Sequence, residues 1–91
     1  MMYNVKFTPE ATFHLFKLDK NEPKAYQKAL RLIDELREHP TTGTGHPEPL
    51  RGDRAGQWSR RITDKYRLVY QIYETEVVVL VLTAYGHYED K

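Results

Sequence analysis

The sequence predicts an α+β fold in which two N-terminal helices pack on one face of a mainly antiparallel sheet. Helical periodicity is confined to the first half of the chain, and period-two alternation dominates the second half. Strands that follow one another in sequence usually pair, which favours antiparallel pairing among the last three. With 91 residues, the chain is expected to form one domain over residues 1–91.

The N-terminal elements form a β-α-α series. Residues Tyr3–Phe7 alternate apolar and polar side chains, as a strand does. Thr8–Glu10 supplies an N-cap, a proline at the first helical position and an acidic first turn. We expect Asp19–Pro23 to break this helix and Pro40 to end the next one. The apolar residues of the second helix fall on one broad face: Ala25, Tyr26, Ala29, Leu30, Leu32, Ile33 and Leu36.

The second half of the chain begins with a loop and continues with strands. Thr41–Arg54 is rich in glycine and proline, so no regular element is expected there. Trp58–Ile62 and Tyr66–Ile72 alternate as strands, and a turn follows at residues 73–76. Val77–Ala84 is apolar at nearly every position, which predicts a central strand covered on both faces.

Composition indicates a cytoplasmic protein, since the chain has no Cys and no apolar run of the ~20 residues that span a membrane. The net charge is +1, but basic residues concentrate in the middle of the chain, where a polyanion would bind. A solvated strand edge would carry the same charges. The basic residues of this stretch are Arg51, Arg54, Arg60, Arg61, Lys65 and Arg67.

Several kinds of active site are disfavoured. The chain lacks a glycine-rich phosphate loop, its four His residues are scattered rather than paired, and Ser59 is its only serine. No metal or other cofactor is therefore expected. Acid–base chemistry beside a cationic patch remains.

Glu48, Arg67, His87 and Tyr88 are the candidate reactive residues. Two flanking prolines restrict the backbone around Glu48, and an arginine binds phosphate at any accessible pH. His87 follows the most apolar strand and titrates near neutral pH. Glu48, Arg67 and His87 each have a plainer interpretation. They could be an exposed loop carboxylate, an arginine paired with Asp64 or a cross-strand acid, and a capped or surface histidine. Together they supply a base, a cation, an acid and an aromatic ring, as metal-free RNA cleavage requires.

Several sequence blocks carry a family resemblance. Pro47–Leu50 reads PEPL, Trp58–Thr63 reads WSRRIT, Arg67–Tyr70 reads RLVY, and the pair His87-Tyr88 lies near the C-terminus. This combination, over roughly the C-terminal half, resembles the YoeB/Txe branch of the RelE-like toxins of type II toxin–antitoxin systems. The predicted order of elements is similar to that family's fold.

The resemblance implies a ribosome-dependent endoribonuclease that cuts mRNA in the ribosomal A site without a metal. Glu48 would be the general base, Arg67 would stabilise transition-state charge, His87 would be the general acid and Tyr88 would help to place the substrate. Phosphates would be held by Arg51, Arg60, Arg61 and Lys65. The partners implied are a cognate antitoxin, which folds onto the toxin, the ribosome with its mRNA and, through dimerisation, a second copy of the chain.

Two other functions remain open at this point. A non-catalytic module could use the same basic face to bind RNA or an antitoxin. A toxin of the same fold directed at DNA gyrase would be expected to lack the Glu, His and Tyr set.

Overall fold

The computed structural model describes residues 2–54 and 56–84, and it confirms the α+β architecture. One sheet has the strand order β1-β5-β4-β3-β2. Strand β1 runs parallel to β5, and the other neighbouring strands are antiparallel. The elements are β1 (Asn4–Phe7), α1 (Pro9–Asn21), α2 (Pro23–Leu36), β2 (Glu48–Pro49), a 3₁₀ turn (Gly52–Arg54), β3 (Gln57–Arg61), β4 (Arg67–Tyr73) and β5 (Val78–Thr83).

The predicted start of the first helix is confirmed. The Thr8 hydroxyl accepts a hydrogen bond from the Ala11 amide at 3.0 Å and donates one to the Leu82 carbonyl at 2.7 Å. The N-cap therefore also ties α1 to the end of β5. The break between the helices is shorter than predicted, since only Glu22 separates α1 from α2.

The core lies between the helices and one face of the sheet. Helix α2 contributes most of its predicted apolar face, although Leu30 stays 40% exposed. Helix α1 buries Ala11 and Leu18 but leaves Phe13 and Phe16 exposed. Within residues 2–54 and 56–84, no helix has the length and apolar character needed to cross a membrane.

Two details of the predicted sheet are wrong. The glycine- and proline-rich loop contains strand β2, which the sequence pattern did not predict. Pro49 is compatible with this strand because β2 lies at the edge of the sheet, where a missing amide donor leaves no ladder bond unmade. Strand β5 is flanked by β1 and β4, as expected of an inner strand. Only one of its faces is fully covered, however: Val79 and Val81 are buried, whereas Val78 and Leu80 are partly exposed.

The buried face of α2 should contribute strongly to the stability of the protein. Leu32→Ala should lower the free energy of unfolding by about 2–5 kcal/mol, because Leu32 is 0% exposed and its loss leaves a cavity. Leu30→Ala, on the same helix, should cost less than about 1 kcal/mol. Urea denaturation of both variants tests this, and equal losses would contradict the placement of the core.

Candidate active site

The register of the sheet brings Glu48 to the same face as two arginines. Glu48 in β2 pairs with Ser59 in β3, and Ser59 pairs with Val69 in β4. On the same two strands, Arg61 pairs with Arg67, two residues away from the Ser59–Val69 pair. Side chains two apart in a strand share a face, so all five residues lie on the face of the sheet opposite the helices.

Glu48 and Arg67 are close enough to interact and remain accessible. A carboxylate oxygen of Glu48 lies 3.8 Å from Nη1 of Arg67, and the two side chains are 54% and 28% exposed. The carboxylate is therefore hydrated and available as a proton acceptor, beside a guanidinium that is partly shielded from water. A charged donor in such a position can stabilise negative charge that develops on a bound phosphate.

Arg61 adds a second positive charge beside Arg67. The two residues are direct cross-strand neighbours, an arrangement in which like charges destabilise a sheet. Asp64 partly offsets this, with a carboxylate oxygen 3.7 Å from Nη1 of Arg61. The sequence left open whether Asp64 pairs with Arg67, and the structure places it beside Arg61 instead. The two arginines can bind an anion, and the accessible carboxylate beside them can accept a proton from a neighbouring group of the same ligand.

Arg51 and Lys65 are the other predicted phosphate contacts in accessible positions. Both are exposed, Arg51 just after β2 and Lys65 in the turn between β3 and β4. Arg51 follows Glu48 closely in the chain, and Lys65 shortly precedes Arg67. Each therefore lies next to a strand of the candidate site.

The structure corrects the predicted role of Arg60. Its side chain is 0% exposed and lies on the helix-packed face of the sheet, with Tyr70 and Leu68. Because β3 alternates, Arg60 and its neighbour Arg61 point to opposite faces. A buried guanidinium cannot contact an RNA phosphate, so we remove Arg60 from the predicted RNA-binding set.

The buried guanidinium instead binds the chain that precedes Glu48. Nη1 donates to the Thr44 carbonyl at 3.3 Å, and Nη2 donates to the carbonyls of Thr42, at 2.7 Å, and His39. Nε donates to the Tyr70 hydroxyl at 3.2 Å. Tyr70 in turn donates to the carbonyl of Pro40 at 2.6 Å. Burial raises the pKa of Tyr70, although Arg60 opposes this, which keeps the hydroxyl proton available for donation.

Glu35 supplies the charge that balances Arg60. Its carboxylate accepts from Nη1 of Arg60 at 2.8 Å and from the amide and hydroxyl of Thr44 at 2.9 and 2.7 Å. Burial alone would raise the pKa of Glu35, but these hydrogen bonds outweigh it and hold the pKa below its ordinary value. Glu35 lies on α2 and was not among the residues predicted for the site. The glycines at 43 and 45 were the available signal that a loop packs closely here.

The predicted His87 and Tyr88 lie outside the residues that the structure describes. The last described residue, Ala84, donates its backbone amide to Nδ1 of His14 at 3.2 Å. Burial lowers the pKa of His14, the Glu10 carboxylate opposes this and Lys17 adds to it. The neutral imidazole that burial favours is the form that accepts this bond. In the same described part of the chain, no three His, Asp or Glu side chains are grouped as a metal site would require.

Comparisons with known proteins agree on one family. The family model for the YoeB-like toxin of bacterial type II toxin–antitoxin systems matches residues 7–88. Toxin YoeB of Mycobacterium bovis is 40% identical over 79 residues, which cover 87% of this chain and 93% of that protein. A YoeB/ParE toxin from Agrobacterium tumefaciens superposes with a TM-score of 0.87 at 32% identity, covering 93% of this chain and 99% of its own.

Staphylococcus aureus YoeB has been solved both as a dimer and in a complex with YefM. These structures are 28% identical to this chain and cover 97% of it and 100% of their own chain, with TM-scores of 0.82 and 0.80.

The lowered pKa of Glu35 predicts acid sensitivity. The charged carboxylate is favoured in the folded state, so its contribution to stability is present above the ordinary value of 4.5 and is lost as the pH falls through the lower folded pKa. Urea denaturation across this range should show wild type losing more stability on acidification than Glu35→Gln. Asp34→Asn, which removes an exposed carboxylate from the same helix, is the matched control. Parallel acid curves for wild type and Glu35→Gln would contradict the assignment.

Proposed function

The chain belongs to the YoeB-like toxins of bacterial type II toxin–antitoxin systems, and we propose that it is a ribosome-dependent endoribonuclease that cuts mRNA in the ribosomal A site. The observation that carries the proposal is the accessible Glu48 carboxylate 3.8 Å from the Arg67 guanidinium, on a face of the sheet that also holds Arg61. RNA presents both groups that such a site would bind: a phosphate and, next to it, a hydroxyl that can lose a proton.

The proposed reaction is an internal transesterification. Glu48 accepts the proton of the ribose 2′-OH while the 2′-oxygen attacks the adjacent phosphorus. The bond from phosphorus to the 5′-oxygen breaks, and His87 gives its proton to that oxygen. The products are a 2′,3′-cyclic phosphate and a 5′-hydroxyl, and no step requires a metal. Tyr88 helps to place the substrate.

The arginines act on charge rather than on protons. In the transition state negative charge collects on the non-bridging phosphate oxygens, where a preorganised cation typically contributes ~3 kcal/mol. Arg67, which is the less exposed of the pair, fits this role. Arg61, Arg51 and Lys65 hold flanking phosphates of messenger or ribosomal RNA, contacts that position a substrate without reading its sequence.

The family also supports a protein partner. YoeB of Staphylococcus aureus forms a complex with YefM and also a dimer. We propose that this chain is likewise silenced by a cognate antitoxin, and that two copies can pair. A segment that folds on binding can cover a large surface, and it suits an inhibitor that must later be released.

Substitution of the proposed base tests the reaction. Glu48→Gln should lower the cleavage rate by roughly 10² to 10⁴, because an amide cannot accept the 2′-OH proton. The purified chain, free of antitoxin, is added to bacterial ribosomes stalled on a defined mRNA, and the new RNA ends are mapped beside free mRNA. We expect a cut within the A-site codon for wild type and little cleavage of free RNA.

Glu38→Gln is the control, since Glu38 is also an exposed carboxylate but lies just after α2 and in no strand of the sheet. Wild-type cleavage by Glu48→Gln would exclude Glu48 as the base. Inhibition of translation by the wild type with no RNA cut anywhere would favour the non-catalytic binding module.

The proposed acid makes a separate prediction. His87→Ala should slow cleavage by about 10² to 10⁴ because the 5′-oxygen must then leave without a proton. In a substrate with sulfur in place of the bridging 5′-oxygen, the leaving group is a thiolate, which departs without a proton. Wild type and His87→Ala should therefore cut this substrate at nearly equal rates. If the variant cleaves the ordinary substrate normally, another group, such as Tyr88, donates the proton.

A further inference from the structure

We propose that Arg60 and Glu35 are positioning residues, which fix the segment from His39 to Pro47 and thereby hold Glu48 at the distance that proton abstraction needs. This inference rests on the proposed function, because it assigns Arg60 and Glu35 an effect on a base that the reaction must use. Neither residue is placed in contact with RNA.

The first step is the attachment of the loop to the Arg60–Glu35 pair. The guanidinium of Arg60 binds the carbonyls of His39, Thr42 and Thr44, while the Glu35 carboxylate binds the amide and hydroxyl of Thr44. Thr44 is therefore held through its amide, its side chain and its carbonyl. An ordinary surface loop would bond most of these groups to water.

The loop is also closely packed against the pair. Gly43 and Gly45 have φ angles of 114° and 87°, in the region that favours glycine. A Cβ at Gly43 would collide with the Glu35 carboxylate, and one at Gly45 would lie 2.9 Å from the Arg61 carbonyl. The loop thus has little room to move toward α2 or toward β3.

The second step links Thr44 to Glu48. The Arg61 amide donates to the Gly45 carbonyl at 2.7 Å, and Glu48 then enters the sheet opposite Ser59. Only three residues separate the pinned Thr44 from Glu48, and one of them is Pro47, whose φ is fixed. A shift of Thr44 is therefore passed along a short, constrained segment to the carboxylate, since β2 itself is only two residues long.

The chemistry of the guanidinium explains why an arginine is needed. Its planar fork donates in several fixed directions at once, and an ammonium group cannot reproduce this. Displacement of a reacting group by about 1 Å can cost ~10²-fold in rate. The pair is thus expected to affect the rate of the chemical step and not the binding of RNA.

The test compares Arg60→Lys and Glu35→Gln with wild type in single-turnover cleavage of ribosome-bound mRNA. Each variant should cut about 10- to 100-fold more slowly at saturating protein, while the protein concentration for half-maximal rate stays within about twofold of wild type. Val79→Ala removes core volume in β5, which pairs with neither β2 nor β3, and controls for lost stability. It should cleave as wild type at a temperature where it is fully folded.

A kinetic double-mutant cycle separates positioning from general damage. In the Glu48→Gln background, where there is no base to position, Glu35→Gln should slow the residual cleavage by less than about twofold. In the Arg67→Ala background, which keeps the base, it should retain its full effect. Glu35→Gln preserves the side-chain shape and one acceptor oxygen, so it decides the question if Arg60→Lys does not fold.

The outcomes are distinct for the two proposals. If Glu48→Gln is inactive but Glu35→Gln and folded Arg60→Lys cleave as wild type, the positioning role is wrong and the proposed function stands. An equal loss from Glu35→Gln in wild type and in Glu48→Gln would also overturn positioning. Full activity of Glu48→Gln would exclude Glu48 as the base and overturn this inference with it, whereas the absence of any RNA cut by the wild type would overturn the proposed function.

Discussion

A guanidinium without access to water dictates the arrangement of the chain between the second helix and the sheet. Transfer of a charged group from water to a protein interior costs several kcal/mol unless a counter-charge and hydrogen bonds replace its hydration. Glu35 provides the charge for Arg60, and the carbonyls of His39, Thr42 and Thr44 provide the acceptors. The loop can satisfy Arg60 only by folding over it. The path of the chain into β2 is consequently fixed by a polar requirement and not by apolar packing.

Strand alternation then assigns opposite roles to adjacent arginines. Arg60 faces the helices and holds the loop, whereas Arg61 faces solvent beside Arg67. A shift of β3 by one residue would exchange the two side chains, burying Arg61 and exposing Arg60. The pairing of Glu48 with Ser59 would be lost in the same shift. The register that satisfies the buried arginine is therefore also the register that assembles the candidate site.

The sequence was most informative where a local pattern has a single structural solution. The cap at Thr8 and the apolar face of α2 were predicted because caps and helical periodicity depend on residues near in sequence. Strand β2 was missed because two residues show no periodicity and one of them is a proline. The basic stretch and the family resemblance suggested that Arg60 binds RNA. Arg60 nevertheless lies two residues from both Trp58 and Ile62, so it shares the apolar side of the strand with them. Its partner Glu35 could not be found, because the two lie 25 positions apart in the chain.

The loose contact between Glu48 and Arg67 suits a site that must accept a phosphate. Exposed ion pairs contribute only about 0–1 kcal/mol, so a phosphate can take the place of the carboxylate at little cost. In the free protein Glu48 partly offsets the repulsion between Arg61 and Arg67, which face each other across β3 and β4. In the proposed reaction a phosphate takes over that task, and the carboxylate becomes free to accept a proton. A shorter ion pair would hold Glu48 against Arg67 and compete with the reaction. The short carboxylate–arginine pair of this protein, formed by Glu35 and Arg60, lies instead on the other face of the sheet.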